Sequence, residues 1–137
     1  MGPINRDYSF NLNKKEKKLA LKSAISSKVL DDKVVIIDSF EINSFKTKDL
    51  YSDLKKFDYK SALFIHSESG IDKNFKLASS NIPRVSVLNQ KGINVKDLLT
   101  FDKIFIEQKS INEITKRLSW NLKIFLLKKL MILSKSL

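Results

Sequence analysis

The sequence has 137 residues, of which 42% are hydrophobic and 30% are charged, enough for one globular domain with its own core. It contains no cysteine and a single histidine, His66, which excludes disulfide scaffolds, thiolate metal sites and multi-histidine zinc sites. The first residues lack the apolar core of a secretory signal, so we expect a cytoplasmic or equivalent reducing location.

The net charge of +11 is concentrated at the two ends of the sequence. Residues 1–33 carry 8 basic and 4 acidic side chains, residues 34–113 carry 12 and 11, and residues 114–137 carry 6 and none. The centre is therefore nearly neutral and both ends are basic. This distribution predicts contact with a polyanion, either a nucleic acid or an anionic membrane surface.

The first predicted elements are an extended segment, a helix and a strand. Residues 1–12 are expected to be extended, and Asn13 is a suitable N-cap for a helix over residues 14–29, which contain neither glycine nor proline. Asp31 and Asp32 are expected to form a turn. The run at residues 33–38 is rich in β-branched side chains, which is typical of a strand buried on both faces.

The rest of the body alternates between predicted helices and strands. Helices are expected at 48–57, 72–79, 94–99 and 110–118, and strands at 61–65, 85–88 and 103–107. Thr47 and Asn94 are the predicted caps of two helices, and Ser110 with Glu113 has the spacing of a capping box. The side chains expected to pack from the second and third helices are Leu50, Leu54, Phe57, Phe75, Leu77 and Ala78.

This alternation predicts βαβ units and an α/β fold. We expect three layers, with a mostly parallel four-stranded sheet, flanking helices and a Rossmann-like topology, over residues 1–118. Residues 119–137 are expected to be a separate tail that is both basic and apolar, and its apolar residues begin at Trp120. A spanning helix needs about 20 apolar residues, and lysines interrupt this tail. We expect a packed terminal helix or a disordered segment, with an interfacial membrane helix and a sequence artefact as alternatives.

The first helix carries the strongest candidate site. At 100° per residue, Lys14, Lys15, Lys18 and Lys22 fall within an arc of about 100°, beside an apolar arc of Ala20, Leu21, Ala24 and Ile25. Such cations bind phosphates, serines add hydrogen bonds, and aromatic rings stack on unpaired bases. A solvated lysine face is the alternative, and the residues alone do not decide between the two. The predicted RNA-binding residues are Arg6, Tyr8, Lys14, Lys15, Lys18, Lys22, Ser23, Ser26, Ser27 and Lys28.

Catalytic chemistry has little support in the sequence. Asp38, Ser67 and Lys109 follow predicted strands in the manner of a receiver domain, but the acidic pair that would hold Mg²⁺ is missing. Only three glycines are present, without a dinucleotide fingerprint or a P-loop. His66 is expected to be structural or solvent-facing. We expect no enzymatic activity, no cofactor, no metal and no small-molecule substrate. The rival interpretation is an α/β signalling or nucleotide-binding domain without a recognisable catalytic motif.

Several segments stand out in chain order: Gly2-Pro3, Arg6-Asp7-Tyr8, Leu12-Asn13-Lys14-Lys15, residues 19–26, the strand at 34–38, Lys46-Thr47-Lys48, residues 78–83 and residues 92–99. In this order they resemble the family of large-ribosomal-subunit protein four. The resemblance covers residues 2–118. It implies a structural constituent of the large ribosomal subunit that supports assembly and translation. The implied partners are large-subunit rRNA and neighbouring large-subunit ribosomal proteins, on cytoplasmic ribosomes of a bacterium or organelle, and a membrane partner is not expected.

The sequence departs from the family pattern in three places. The resemblance falls on the C-terminal portion of the family, without the N-terminal part and the tunnel loop. Lys17 and Lys18 stand where arginines are common, and Glu16 stands where an apolar residue is common; lysine lacks the bidentate fork of arginine. The tail from Trp120 has no counterpart in the family. The missing N-terminal part and the unmatched tail suggest a gene fragment or a shifted reading frame, which the encoding nucleotide sequence would test.

Overall fold

The computed structural model describes residues 2–119 and shows five α-helices, one short 3₁₀-helix and four strands in that range. The predicted tail from Trp120 lies outside the described residues. In chain order the elements are α1 (Lys14–Leu30), β1 (Val34–Ile37), α2 (Thr47–Lys55), β2 (Ala62–His66), α3 (Lys73–Ser80), β3 (Val85–Asn89), the 3₁₀-helix (Gln90–Gly92), α4 (Val95–Thr100), β4 (Lys103–Glu107) and α5 (Gln108–Leu118).

The four strands form one parallel sheet in the order β1-β4-β2-β3. The register pairs Ile104 of β4 with Val34 on one side and Leu63 on the other. The α/β class and the parallel four-stranded sheet predicted from the sequence are confirmed. A helix lies between each pair of successive strands, because strands that run parallel in one sheet can be joined only by a crossover connection.

Each face of the sheet supports a separate apolar core, which gives the molecule three layers. Successive side chains of a strand point to opposite faces, so Ile104 and Ile106 of β4 lie in one core and Phe105 lies in the other. The first core is covered by α1, α4 and α5. The second is covered by α2 and α3 and contains a packed group of phenylalanine rings, including a stacked pair of Phe64 and Phe105 with centroids 4.8 Å apart.

The helix caps were predicted with mixed success. Asn13 and Asn94 are confirmed as N-caps, and the Asn94 side chain accepts a hydrogen bond from the Asp97 N–H at 2.8 Å. The Thr47 cap is wrong: Lys46 is the N-cap of α2, and Thr47 is already helical. Helix α2 also ends two residues earlier than expected, at Lys55, although Leu50 and Leu54 are buried as predicted.

The capping box predicted at Ser110 is also wrong. Helix α5 follows β4 directly and begins at Gln108, so Ser110 is inside the helix and its hydroxyl donates to the Glu107 carbonyl at 2.7 Å. The Glu113 carboxylate instead accepts a 3.4 Å hydrogen bond from the Glu68 N–H. Leu77 is a further error, because Phe75 and Ala78 occupy the buried side of α3 and leave Leu77 62% exposed.

Candidate nucleic-acid interface

The N-cap of helix α1 is Asn13, and a side chain from the first turn of the helix forms a hydrogen bond with it. Asn13 has an extended backbone with φ −60° and ψ 148°, and its N–H donates to the Glu16 carboxylate at 3.2 Å. Glu16 thereby occupies an otherwise free donor and places negative charge near the positive end of the helix dipole. The 17-residue helix then continues without a break to Leu30.

The two halves of α1 have different surroundings. Leu21, Ala24, Ile25 and Val29 are buried in the first core, whereas every residue from 14 to 20 is exposed. Because an α-helix rises 1.5 Å per residue, the exposed half extends about 10 Å beyond the docked half. We call residues 14–20 the overhang. A helix segment of this length is marginal in isolation, so the docked half holds the overhang in its helical conformation.

The lysines of the overhang continue the stripe that docks on the sheet. Residues 14, 18, 21 and 25 are spaced by three or four positions and so share one side of the helix. That stripe is cationic at Lys14 and Lys18 and becomes apolar at Leu21 and Ile25. This corrects the sequence interpretation, which placed the lysines on a face beside the apolar arc and counted the exposed Ala20 in that arc.

Other cations flank this stripe. Lys15 and half-buried Lys22 lie on one side of it, and exposed Lys17, absent from the sequence prediction, lies on the other. None of the ion pairs found within residues 2–119 includes these lysines. Glu16 is the one acidic residue among residues 14–22, and its carboxylate accepts a hydrogen bond from the Asn13 N–H at the start of the helix. The overhang therefore presents a dense positive field.

The segment before α1 carries exposed aromatic side chains. Tyr8 is 80% and Phe10 84% exposed, and the Arg6 guanidinium lies 5.6 Å from the centroid of the Tyr8 ring. The Asp7 carboxylate accepts a 2.9 Å hydrogen bond from the Ser9 N–H, and this bond lowers the pKa of Asp7. The segment therefore offers one cation and two aromatic rings next to the overhang, which are groups that suit contact with a polyanion that has planar bases.

The three predicted serines lie on the docked half of α1. Ser23 and Ser27 are exposed. Ser26 is half-buried, and its hydroxyl donates to the Lys22 carbonyl at 2.9 Å. The structure thus leaves Ser23 and Ser27 accessible to a ligand and engages the hydroxyl proton of Ser26 within the helix.

Lys28 occupies a different environment from the other predicted contacts. It is only 9% exposed, and its Nζ donates to the Phe101 carbonyl at 2.7 Å and to the Asp102 carbonyl at 3.4 Å. Burial lowers the pKa of Lys28, and the nearby charge of Lys33 lowers it further. The expected position of Lys28 on the RNA-facing surface is corrected accordingly: its ammonium ties α1 to the end of α4.

The carboxyl edge of the sheet, the alternative ligand site, has a polar cleft of about 400 Å³ between the ends of β1 and β4. Lys109 and the buried Glu107 line this cleft, and the Glu107 carboxylate accepts from the Ser67 N–H at 2.7 Å. Asp38 is exposed, and His66 Nδ1 donates to the Ser67 carbonyl at 2.8 Å. Among residues 2–119, no group of three histidine or acidic side chains is arranged to hold a metal ion.

The fold and the site together define a class: an α/β protein with a parallel sheet and a protruding basic helix. The sequence matches the family described as Ribosomal protein L4/L1 over residues 1–117, and the chain belongs to that family. Within the described residues, the search for a helix of sufficient length and apolar character to span a bilayer found none.

Three relatives illustrate the similarity, and each is a Large ribosomal subunit protein uL4. The protein of Thermoanaerobacter sp. (strain X514) is 43% identical over 110 residues, which cover 80% of this chain and 52% of the relative. That of Paramagnetospirillum magneticum is 43% identical over 117 residues, covering 85% and 56%. That of Lactobacillus delbrueckii subsp. bulgaricus is 32% identical over 113 residues, covering 82% and 54%. The chain therefore spans about half the length of these relatives.

Proposed function

We propose that this chain is a structural constituent of the large ribosomal subunit that binds large-subunit rRNA through the overhang of α1, the adjoining Lys22 and the segment that precedes α1. The observation that carries the proposal is the change in one helical stripe, from apolar and docked at Leu21 and Ile25 to lysine and exposed at Lys14 and Lys18. The names of the relatives, which are large-subunit proteins, support it.

Affinity in this proposal comes mainly from phosphates. Each phosphate neutralised by a lysine releases condensed counterions, so binding weakens steeply as salt is added. Tyr8 and Phe10 contribute stacking on unpaired bases. Ser23 and Ser27 are on the docked half of α1 and on the side of the helix away from Lys14 and Lys18, so they are left out of this contact. Lys28 is left out of the contact surface, because its ammonium already donates to two carbonyls.

The α/β body acts as a scaffold in this proposal and performs no chemical reaction. Its first core fixes the docked half of α1, and α1 in turn fixes the direction of the overhang. The proposed partners are large-subunit rRNA and neighbouring large-subunit ribosomal proteins, and the proposed location is the cytoplasmic ribosome. No cofactor and no small-molecule substrate is part of the proposal.

The test reverses three charges of the basic surface, as Lys14→Glu, Lys18→Glu and Lys22→Glu in one variant. The matched control reverses three exposed lysines on α3 and α4, at Lys73, Lys76 and Lys96. Both variants should fold like the parent chain, because the substituted amines make no contact that the body needs. Both change the net charge equally, so a difference between them reports position and not total charge.

The measurement is binding to purified large-subunit rRNA over a range of salt concentrations. The α1 variant should lose binding at moderate salt, and the slope of log affinity against log salt should fall by about 2, because three phosphate contacts are removed. The control should keep most of the parental slope. Retained affinity of the α1 variant at moderate salt would overturn the assignment of RNA binding to this helix.

A further inference from the structure

We propose a second RNA contact on the opposite side of the body, in a basic aromatic cleft that takes an unpaired RNA segment. This inference rests on the proposed function and extends it to a separate surface. The cleft has a volume of about 590 Å³ and is lined by Tyr51, Lys55, Asp58, Tyr59, Lys60, Pro83 and Arg84. Its occupant is identified by the combination of cations and aromatic planes that line it.

Cations dominate the cleft. Lys55, Lys60 and Arg84 are exposed, and Asp58 is the one acidic side chain in the lining. Within residues 2–119, the ion pairs found do not use these three cations. Their charge is therefore available to phosphate oxygens, and Arg84 can engage a phosphate through two parallel hydrogen bonds.

Aromatic side chains provide the stacking surfaces. The Lys55 ammonium lies over one face of the exposed Tyr51 ring, 4.8 Å from its centroid, and both side chains line the cleft. Tyr59 is the second aromatic ring of the lining; it is half-buried, and burial raises the pKa of its hydroxyl. In this proposal a base stacks on the other face of Tyr51, and its phosphate contacts the cations of the cleft.

The backbone holds this arrangement in an unusual conformation. Asp58 and Arg84 both have left-handed backbones, with φ of 44° and 59°, which cost energy for residues other than glycine. The Arg84 carbonyl accepts a 3.0 Å hydrogen bond from the Ala62 N–H, so the first residue of β2 fixes the peptide that carries this arginine. The Arg84 side chain is therefore held at the rigid edge of the sheet and not on a loose loop.

The cleft and the overhang face different directions. The cleft lies at the amino ends of β2 and β3, beside the core that α2 and α3 cover. Helix α1 covers the other core, and its C-terminal end is tied by Lys28 to the amino edge of the sheet, so the overhang points away from that edge. The end of one RNA helix cannot contact both the cleft and the overhang. The cleft therefore binds a different rRNA segment from the one that the overhang binds.

The first test neutralises the cleft in the full 137-residue chain, as Lys55→Gln, Lys60→Gln and Arg84→Asn. Asparagine tolerates the left-handed backbone of position 84 better than most residues. The control neutralises Lys73, Lys76 and Lys96, which removes the same charge. Against purified large-subunit rRNA, the cleft variant should lose affinity at least tenfold more than the control and show a shallower salt slope. Equal losses in the two variants would overturn the proposal.

The second test examines stacking at Tyr51. Tyr51→Ala should weaken binding roughly fivefold or more, whereas Tyr51→Phe keeps the ring and should stay close to the parent. The chain has three tyrosines, so ultraviolet crosslinking followed by peptide mapping separates an adduct on Tyr51 or Tyr59 from one on Tyr8. Equal affinity of the Ala and Phe variants together with adducts on Tyr8 alone would refute the second contact.

These outcomes separate the inference from the proposed function. If the parent chain binds rRNA with a steep salt dependence and the cleft variant matches its control, the second contact is wrong and the overhang proposal stands. If the parent chain itself shows no salt-dependent binding, both proposals are wrong, and the cleft fits a partner of another class, such as an acidic protein.

Discussion

Lys28 and Lys22 lie six positions apart on α1, and substitution by methionine should lower the free energy of unfolding at Lys28 but hardly change it at Lys22. Lys28→Met removes the charged donor and keeps most of the apolar stem. In the structure the Lys28 amine supplies hydrogen bonds to the carbonyls of Phe101 and Asp102 at a site that is almost closed to water. The variant leaves those acceptors without this donor, whereas Lys22→Met changes a half-buried surface position.

The magnitude follows from the bonds that are lost. Hydrogen bonds from charged groups contribute about 1.5–3 kcal/mol, and the longer bond to Asp102 adds little, so Lys28→Met should lower the free energy of unfolding by about 2 kcal/mol. Lys28→Ala should cost about 4 kcal/mol, since it also removes buried stem methylenes that contribute about 0.8 kcal/mol each. Lys22→Met should stay within about 0.5 kcal/mol.

Urea unfolding of the full chain measures both effects. With a slope of about 2 kcal/mol per molar urea, Lys28→Met should shift the midpoint down by about 1 M. Where the variant is folded, its affinity for large-subunit rRNA should stay within about twofold of the parent. The reasoning is refuted if Lys28→Met unfolds at the parental midpoint and loses RNA affinity, because Lys28 would then be a surface contact.

Two further predictions concern the stability of the same scaffold. Lys33 Nζ lies 3.1 Å from Asp102 Oδ1, and this hydrogen bond lowers the pKa of Asp102 from its usual 3.8. The stabilisation that the bond provides is therefore present above pH 3.8 and is lost as the pH falls through the lowered pKa. Lys33→Met should therefore be less stable than the parent at pH 6, by under about 1 kcal/mol because the pair is partly exposed, and equal to it near pH 2; a difference that grows in acid would contradict this. Ile25→Ala should cost about 2–5 kcal/mol in urea unfolding, whereas Leu19→Ala, at a 67% exposed position of the overhang, should cost under about 0.5 kcal/mol. Similar losses for the two variants would mean that the overhang is packed.

The elements of the body were predictable because each has a strong local signal. Val34 to Ile37 is a β-branched run in a strand buried on both sides, and Leu50 and Leu54 repeat at helical spacing. The order of the strands depends on pairing between distant segments, and no local pattern encodes that β4 lies between β1 and β2. The failed cap at Ser110 has a related cause, because α5 follows β4 without a loop and so begins before its apparent cap.

The kinds of residue in the candidate site could be predicted from the sequence, but their arrangement in space could not. A helical wheel treats α1 as uniform, but the body ends near Leu21 and divides the helix into docked and exposed parts. The role of Lys28 depends on a carbonyl 73 positions away, and the cleft around Arg84 is assembled from α2, the loop before β2 and the turn before β3. Sequence patterns report what a segment can do locally, whereas these contacts depend on how segments meet.

The most direct test of the central claim is crosslinking of the chain to purified large-subunit rRNA, with the attached residues and nucleotides mapped on both molecules. The overhang proposal predicts frequent adducts on Tyr8 and on the lysines of α1 other than Lys28, all mapping to one rRNA region and disappearing in the Lys14, Lys18 and Lys22 charge-reversal variant. Adducts that avoid residues 6–23 and persist unchanged in that variant would contradict it.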